Sequence, residues 1–293
     1  MTAKPIWTIA KVLDWTKQYF AEKGLENPRL DAEILLCSVL KCQRITLYVH
    51  FDQPLEEHEL AQYRGYVARR AVAEPLAYIL GSRAFMKYDF KVTPDVLVPR
   101  PETELLVECT AKLAGFIEKP QILDIGTGSG AIIVSLLDML PEAHGTAVDV
   151  SPGALAVAKE NAANIGVAER LQFVRSDLYS ALPRDAVFDV IISNPPYIPS
   201  ADIAGLAANV KREPRLALDG GADGLNFYRR IIAGSTAHLK EIGINQGSAV
   251  ADLCRSHGFG VVAVRRDYAG IERMVFAAKE GTTYADALLE LAK

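Results

Sequence analysis

The sequence predicts an α/β protein in which a doubly wound parallel sheet follows a helical bundle. From residue 121 onward, short apolar segments of strand length alternate with helical patterns, which is typical of a parallel sheet with helices on both faces. The first of these segments runs into a glycine-rich loop, as expected at the carboxyl edge of such a sheet. Residues 1–80 show helical periodicity instead, so the bundle precedes the sheet.

The first 80 residues are predicted to form a bundle that recognises a partner. Ile9, Val12 and Phe20 recur at the spacing of one helix face. The region holds ten basic and ten acidic residues and is electrically neutral. Its residues form no pattern that indicates chemistry, and we therefore expect a helical substrate-recognition domain over residues 1–80.

A short alternating segment joins the bundle to the sheet. Polar and apolar residues alternate from Phe85 to Val92, which predicts a β-hairpin. Pro101 follows, and proline is typical of the first turn of a helix. We place a hairpin linker at residues 81–100 and a cofactor-binding catalytic domain at residues 101–293.

The catalytic domain is predicted to begin with alternating strands and helices. The strands are expected at 121–125, 146–150, 171–174 and 188–192, and a helix at 131–140. A second helix starts at Ser151, a typical N-cap, followed by Pro152 in the first turn. Because parallel strands require crossover connections of this kind, we expect their carboxyl ends at one edge.

Composition limits the classes of function. The chain of 293 residues has 32 Lys and Arg against 36 Asp and Glu, a net charge of −4, which disfavours nucleic acid as the substrate. No apolar run reaches about 18 residues, so no membrane span is expected. The four cysteines lack CxxC spacing and the five histidines are scattered. We expect reduced thiols, no metal site, a cytoplasmic location and a monomer.

The glycine-rich loop predicts a nucleoside site. The loop reads Asp124-Ile125-Gly126-Thr127-Gly128-Ser129-Gly130. Glycines let the chain turn tightly and let a ligand approach the backbone. Asp149 ends the next strand, where a carboxylate accepts hydrogen bonds from ribose hydroxyls. The residues at 126–130 and Asp149 are therefore the predicted cofactor-binding residues.

The acid before the loop favours S-adenosylmethionine as the cofactor. Dinucleotide-binding proteins use a G-x-G-x-x-G spacing and bind a pyrophosphate, whereas the spacing here is G-x-G-x-G. Asp124 would repel a pyrophosphate but suits the positively charged amino group of a methionine moiety. The sequence has no G-x-x-x-x-G-K-[ST] pattern, which excludes a P-loop.

The fourth strand leads into Asn194-Pro195-Pro196-Tyr197, which predicts the methyl acceptor. A planar nitrogen is a poor nucleophile because its lone pair is delocalised, and a site assists it by accepting hydrogen bonds from both N–H groups. The Asn194 side-chain oxygen and the Pro195 carbonyl are the predicted acceptors. The prolines stiffen the loop, and Tyr197 is expected to stack on the acceptor. The predicted reaction is methylation of an amide or amino nitrogen.

These motifs resemble class I methyltransferases, and nearly the whole chain resembles the peptide chain release factor N5-glutamine methyltransferase family. The matching stretches are E-P-L-A-Y-I-L-G at 74–81, L-V-P-R-P-E-T-E at 97–104 and E-P-R-L-A-L-D-G-G at 213–221. The resemblance implies a Rossmann-like class I methyltransferase domain behind the helical domain. It also implies S-adenosylmethionine as cofactor and, as substrate, the glutamine of the Gly-Gly-Gln motif in bacterial class 1 release factors.

The resemblance also adds residues to the predicted site. It implies that Asp177 or Leu178 flanks the adenine and that Asn194 contacts both the cofactor and the glutamine. Residues 195–197 would then shape the acceptor pocket, and the helical domain would dock the release factor. Arg100 and Glu102 lie in a matching stretch, and for them a role at the site and a role in helix start and interdomain packing are both open.

One departure from the family concerns a central strand. Family members carry a glycine turn and a strand after the helix that ends here near Lys240, whereas Lys240 runs directly into Glu241. The stretch 240–246 is too short for a turn plus a buried strand of typical length. Either the protein lacks this strand or residues are missing at the join, and we favour the second. A short amphipathic helix is expected after Gly281.

Three other functions are left open. An adenine- or cytosine-amino methyltransferase of nucleic acid shares the logic of the Asn-Pro-Pro-Tyr motif, but it predicts a basic groove. A catalytically inactive relative that binds the same partner gains weight only if the central strand is absent. A nicotinamide oxidoreductase is disfavoured by the glycine spacing.

Overall fold

The computed structural model describes residues 6–244, 247–282, 285, 287 and 288. Its helices are α1 (Ile9–Glu22), α2 (Pro28–Leu40), α3 (Arg44–Val49), α4 (Glu57–Ala71), α5 (Leu76–Leu80), α6 (Glu102–Ala114), α7 (Ala131–Met139), α8 (Pro152–Ile165), α9 (Asn226–His238) and α10 (Ser248–Ser256). Its strands are β1 (Ser82–Phe85), β2 (Tyr88–Lys91), β3 (Gln121–Ile125), β4 (His144–Asp149), β5 (Leu171–Arg175), β6 (Phe188–Ser193), β7 (Leu239–Ile244), β8 (Val261–Arg266) and β9 (Glu272–Ala278).

The chain divides into two compact units. The first, here called the helical unit, comprises the residues up to Gly81 together with Ala207–Arg212. The second, the sheet unit, comprises Ser82–Leu206 and the chain from Glu213 onward. The helical unit is therefore built from two separate stretches of sequence.

The helical unit has its own apolar core. Ile9, Val12 and Phe20, the predicted face of the first helix, are buried, which confirms the amphipathic helix. The helix begins where the Thr8 side chain accepts a hydrogen bond from the backbone N–H of Lys11. Burial of this face stabilises the bundle, because helices of this length are marginal in water on propensity alone.

A buried ion pair connects two helices of this unit. Arg70 of α4 donates from Nε to the Asp31 carboxylate of α2 at 2.7 Å, and from Nη1 to the backbone carbonyl of Glu74. The exposed fractions of the Arg70 and Asp31 side chains are only 9% and 6%. Both charged groups thus depend on each other for compensation of their lost hydration.

We expect Asp31→Ala to lower the free energy of unfolding by about 3 kcal/mol, because it leaves the Arg70 guanidinium buried without a counterion. Urea denaturation measures this difference. Asp252→Ala is the matched control, since Asp252 pairs with Arg255 in solvent and exposed pairs contribute at most about 1 kcal/mol. Equal losses in the two variants would contradict the role of the buried pair.

The sheet unit contains the predicted parallel sheet. The strand order is β5-β4-β3-β6-β7-β9-β8. Neighbouring strands from β5 to β7 run parallel, and β9 pairs antiparallel with β7 and β8. Ile122 of β3 packs in a cluster with α6 and α7, whereas Leu123 packs with α9 and α10. Helices therefore cover both faces, and the predicted fold class is confirmed.

A β-hairpin precedes this sheet. β1 and β2 pair antiparallel, from Ser82 opposite Lys91 to Phe85 opposite Tyr88. The predicted hairpin is present, but its first strand starts before Phe85. The alternation in sequence ran through the turn because no glycine or asparagine marks it, and Met86 takes the left-handed conformation there, with φ of 52°.

The sheet brings three strand ends together. The chain passes from β3 to β4 and β5 on one side before β6 pairs with the other side of β3. Ligands of open α/β sheets bind in the crevice outside the strand ends where the order reverses in this way. Ile125, Asp149 and Ser193 are the last residues of β3, β4 and β6.

The central strand that the sequence left in doubt is present. β7 starts directly after the last residue of α9, with no turn between them. It pairs parallel with β6, from Leu239 opposite Phe188 to Ile244 opposite Ser193. The expected lack of room at Lys240 was wrong, because the strand begins where the turn was expected and the residues present complete the sheet. The alternative of an inactive relative loses its basis.

Two further expectations concern a helix after Gly281 and a membrane span. Most of the helix expected after Gly281 lies outside the described residues, although Leu288 is buried. Within the part of the chain that is described, no helix combines the length and the apolar character needed to cross a membrane.

Candidate active site

The glycine-rich loop leaves β3 and folds against the end of β4. The backbone N–H groups of Gly126 and Thr127 both donate to the carbonyl of Val148, at 2.9 and 3.0 Å. Gly130 has φ of 79°, and a Cβ there would lie 3.1 Å from the Cβ of Ala158. Glycine is required at this position by the left-handed backbone and by the close packing of α7 on α8.

Asp149 lies beside the loop at the end of β4. Its Oδ2 accepts a hydrogen bond from the backbone N–H of Gly128 at 3.0 Å, and its Oδ1 accepts one from Ser151 N–H at 2.9 Å. Each carboxylate oxygen has capacity for a further hydrogen bond. The carboxylate is therefore held in one orientation and can still accept from the hydroxyls of a ribose.

A cavity of about 300 Å³ opens at the ends of β3, β4 and β6. It brings together most of the predicted site residues, namely Gly126, Thr127, Gly128, Ser129, Asp149, Asp177, Leu178, Asn194, Pro195 and Pro196. The charged residues that line it are Asp95, Asp149, Asp177 and Arg100. Three carboxylates against one guanidinium favour a ligand with positive charge.

Asn194 stands at the end of β6, next to the glycine-rich loop. The preceding Ser193 donates from Oγ to the backbone carbonyl of Ile125 at 2.7 Å, which ties the end of β6 to the end of β3. Asn194 Nδ2 donates to Oγ1 of Thr103 at 3.3 Å. An asparagine side chain has one donor end and one acceptor end, so this bond turns the Oδ1 end away from Thr103.

Residues 194–197 form a loop after β6, here called the acceptor loop. A later stretch of chain holds this loop in place. Ile198 N–H donates to the carbonyl of Leu218 at 3.0 Å, and Gly220 N–H donates to the carbonyl of Ile198 at 2.8 Å. Gly224 has φ of 76°, and a Cβ on it would lie 2.3 Å from the carbonyl oxygen of Tyr197. The loop position thus depends on the absence of a side chain at residue 224.

Two predicted site residues, Gly130 and Tyr197, are absent from the lining of the cavity. Gly130 faces Ala158, as described above, and serves helix packing. The Tyr197 ring packs against the core cluster that contains Ile191 and Tyr228. Its stacking on the acceptor stays a prediction.

The segment after β5 forms another wall of the cavity. Ser176 N–H donates to the Asp149 carbonyl at 3.0 Å, and Ser176 Oγ donates to the carbonyl of Leu178 at 2.7 Å. Leu178 takes φ of 53°, a strained value for a side chain of this size. Asp177 pairs with Arg230 at 2.7 Å. These contacts hold an apolar side chain and a carboxylate at the edge of the cavity.

Two family models and several known proteins match this chain. Residues 11–81 match the family model for the PrmC N-terminal domain, and residues 101–212 match that for the methyltransferase small domain. The release factor glutamine methyltransferase of Geobacter sulfurreducens is 48% identical, over 94% of this chain and 98% of that protein. The protein of the same name from Moorella thermoacetica is 42% identical, over 92% and 98%. This chain belongs to the release factor glutamine methyltransferase family.

Solved structures share the fold of this family member. The catalytic domain of hMettl16, in complex with the MAT2A 3′UTR hairpin 6, matches with a TM-score of 0.56 at 16% identity, over 80% of this chain and 86% of that one. The N-terminal domain of human METTL16 matches with a TM-score of 0.50 at 19% identity, over 73% and 81%. At these identities the likeness concerns the fold alone, and it confirms the predicted methyltransferase architecture.

Sequence reasoning missed two walls of the methyltransferase cavity. One wall comes from the residues before α6 and the other from those after Glu213: Val96, Leu97, Pro99, Arg100, Pro214, Leu216 and Ala217. Both stretches matched the family, but their residue types carry no chemical pattern of their own. Of the two residues left open, Arg100 lines the cavity, whereas Glu102 is exposed at the first residue of α6. Among the described residues, no cluster of His, Cys, Asp and Glu could hold a metal ion.

Asp124 lies beneath the glycine-rich loop and not at its surface. The side chain is fully buried, and its carboxylate accepts a hydrogen bond from the Thr127 hydroxyl at 2.7 Å. Burial raises the pKa of Asp124 to about 7; the Thr127 hydrogen bond opposes this shift and the nearby Asp149 charge adds to it. The carboxyl therefore supports the loop from below, whereas the sequence had suggested contact with a cofactor amino group.

Asp124→Asn should gain stability relative to the wild type as pH rises. The folded-state pKa of about 7 lies above the ordinary value of 3.8, so the folded protein holds an extra proton between these values. The stabilisation is complete below the lower value and is lost as pH rises through the upper one. Thermal denaturation between about pH 5 and pH 9 measures it, and the difference in Tm, variant minus wild type, should increase up to about pH 8 and level off above it. A difference independent of pH would contradict the raised pKa.

Gly224→Ala should displace the acceptor loop and slow methyl transfer on the order of 100-fold, because a shift of about 1 Å can cost that much. Gly258→Ala is the matched control: its φ of 86° imposes the same backbone strain, but a Cβ there meets no atom within 4 Å. The control should lose stability and keep its rate of methyl transfer. Equal effects on the rate would show that strain, and not the contact with Tyr197, is responsible.

Proposed function

We propose that this protein transfers a methyl group from S-adenosylmethionine to the side-chain amide nitrogen of the glutamine in the Gly-Gly-Gln motif of bacterial class 1 release factors. Its family membership carries the activity. The single observation that supports it in the structure is the cavity in which Asn194 and Pro195 lie beside the 126–129 loop and Asp149. The proposed acceptor site and the proposed nucleoside site would thus share one cavity.

The residues of the cavity fit S-adenosylmethionine. Asp149 would accept from the ribose hydroxyls, and Asp177 and Leu178 would flank the adenine. The backbone at 126–130 and Asn194 would approach the methionine moiety. S-adenosylmethionine carries one net positive charge, which agrees with the excess of carboxylates in the lining. Bound there, it supplies a methyl group already activated by a sulfonium.

Asn194 and Pro195 would orient the substrate nitrogen. The Asn194 Oδ1 and the Pro195 carbonyl accept hydrogen bonds from the two N–H groups of the glutamine amide, which directs the nitrogen toward the methyl group. Pro196 lines the same space and cannot donate a competing N–H. Tyr197 contributes by packing the loop on the core. Proximity and orientation of this kind can supply roughly 7–11 kcal/mol.

The chain's own residues do not need to supply a strong base. The amide nitrogen becomes more acidic as it acquires the methyl group, and its proton can pass to water during or after transfer. The carbonyl oxygens that hold the N–H groups stabilise the positive charge that develops on the nitrogen. Catalysis in this proposal is therefore positioning plus electrostatic stabilisation.

The helical unit would supply recognition of the release factor. It contains an apolar core of its own, and none of its described residues lines the cavity. We propose residues 1–80 as the substrate-recognition domain, 81–100 as the hairpin linker and 101–293 as the catalytic domain. We further propose that the enzyme acts as a monomer in the cytoplasm, where translation takes place.

Asn194→Ala should abolish methyl transfer and largely spare the fold. Purified protein is incubated with labelled S-adenosylmethionine and a release factor, and the rate should fall at least about 100-fold, as on loss of one oriented polar group in an active site. Asn164→Ala, on the exposed face of α8, is the matched control and should keep the wild-type rate. A fall in Tm that accounts for the lost activity would make Asn194 structural instead.

The substrate is tested with the same label. Label on the release factor should vanish when the Gly-Gly-Gln glutamine is replaced by alanine. Duplex DNA and an RNA hairpin are offered in parallel reactions. Label on nucleic acid alone would overturn the proposed function.

A further inference from the structure

A fully buried glutamate lies outside the cavity and takes no part in the mechanism above. The Glu213 side chain is 1% exposed. Its Oε2 accepts a hydrogen bond from the backbone N–H of Val98 at 3.0 Å, and its Oε1 accepts one from Arg100 Nη2 at 2.7 Å. Arg100 lines the cavity, Val98 lies within the same stretch, and Glu213 precedes Pro214 of the other wall. This carboxylate therefore connects the two stretches that form the walls.

The contacts continue from Arg100 to the acceptor residue. The Arg100 carbonyl accepts a hydrogen bond from Thr103 N–H at 3.0 Å. Thr103 Oγ1 in turn accepts from Asn194 Nδ2 at 3.3 Å. Arg100, Thr103 and Asn194 all line the cavity. A connected path of hydrogen bonds and one peptide turn thus leads from a buried carboxylate to the amide that would hold the substrate.

We propose that Glu213 and Thr103 are positioning residues for methyl transfer, which set the orientation of the Asn194 amide through Arg100. This inference rests on the function proposed above. The amide of Asn194 must present its oxygen to the substrate N–H groups, and the bond to Thr103 determines which end of the amide points where. Glu213 keeps the turn that carries Thr103 at its correct distance from β6.

The energetics of the Arg100–Glu213 pair support a role in positioning. The pair contributes little net stability compared with well-packed apolar side chains, because the Glu213 carboxylate loses its hydration and the Arg100 side chain, 35% exposed, loses part of it. It does impose direction, since an arginine–carboxylate contact and a hydrogen bond to a backbone N–H each have narrow geometry. A charged pair at the wall of an active site is therefore better explained by the orientation it enforces than by stability.

The sheet unit offers a close structural control. Asp267 pairs with Arg273 and also accepts from backbone N–H groups, at Ala269 and Ile271. The Arg273 and Asp267 side chains are 33% and 4% exposed. These fractions are close to the 35% and 1% of Arg100 and Glu213. This second pair lies at the β8–β9 turn, and its residues do not line the cavity.

The test compares Glu213→Gln, Thr103→Val, the double variant and Asp267→Asn. Single-turnover methyl transfer to the release factor is measured at saturating S-adenosylmethionine, together with Kd for S-adenosylmethionine, KM for the release factor and Tm. We expect Glu213→Gln and Thr103→Val each to slow transfer by about 10- to 100-fold, with a smaller factor in Kd and KM. Asp267→Asn should lower Tm and keep the rate.

Coupling between the two positions is decisive. If they act on one path, the double variant should be no slower than the slower single variant, whereas independent effects would multiply. Thr103→Ser, which restores the hydroxyl, should recover most of the rate. If Glu213→Gln does not fold, the Thr103 variants carry the test alone.

Several results would overturn the proposal. Multiplying effects, a wild-type rate in Thr103→Val, or no recovery in Thr103→Ser would each do so, although the proposed function would stand. A loss confined to affinity for S-adenosylmethionine would make Arg100 a cofactor ligand and remove the positioning role. A wild-type protein that labels no release factor would overturn the proposed function and this inference together.

Discussion

The parallel pairing of β3 with β6 is the constraint on which the rest of the site depends. The two strands run in register until Ile125 lies opposite Ser193, and the Ser193 hydroxyl closes the pair by its bond to the Ile125 carbonyl. The glycine-rich loop begins one residue beyond the first strand, and Asn194 begins the acceptor loop one residue beyond the second. A shift of one residue in register would turn every side chain of β6 to the opposite face. The distance between the glycine-rich loop and Asn194 is thus determined by backbone hydrogen bonds in the core.

Different buried polar groups hold different parts of the cavity in place. Asp124 supports the glycine-rich loop from beneath, through Thr127, and Asp149 supports it at its edge, through Gly128. Glu213 lies across the cavity walls and joins residues that are far apart in sequence. Each of these carboxylates accepts a hydrogen bond from a backbone N–H or a hydroxyl. Because hydrogen bonds to a charged group have narrow geometry, each carboxylate restricts local geometry more than a packed apolar group does. Apolar packing of the helices stabilises the sheet, while these acids determine the shape of its active edge.

Local signals predicted the elements whose structure depends on neighbours in sequence. The strand before the glycine-rich loop and the cap at Ser151 appear where alternation and capping place them. Features that depend on distant contacts could not be read in this way. The side of the loop on which Asp124 lies, for example, depends on how the loop folds over β4. The strand at Leu239 was missed because a helix that passes straight into a strand leaves no turn residue to mark the change.

The helical unit has consequences for how this enzyme can vary in evolution. Its second stretch, Ala207–Arg212, sits in the chain between the acceptor loop and Glu213, and Arg212 donates to the carbonyl of Val72 at 2.9 Å. A recombination event that exchanged only the residues up to Gly81 would bring in a bundle unmatched to this inserted stretch. A change of the bundle where it contacts this stretch would therefore require a matching change downstream of Tyr197. The bundle is therefore not a module that can be transferred by itself.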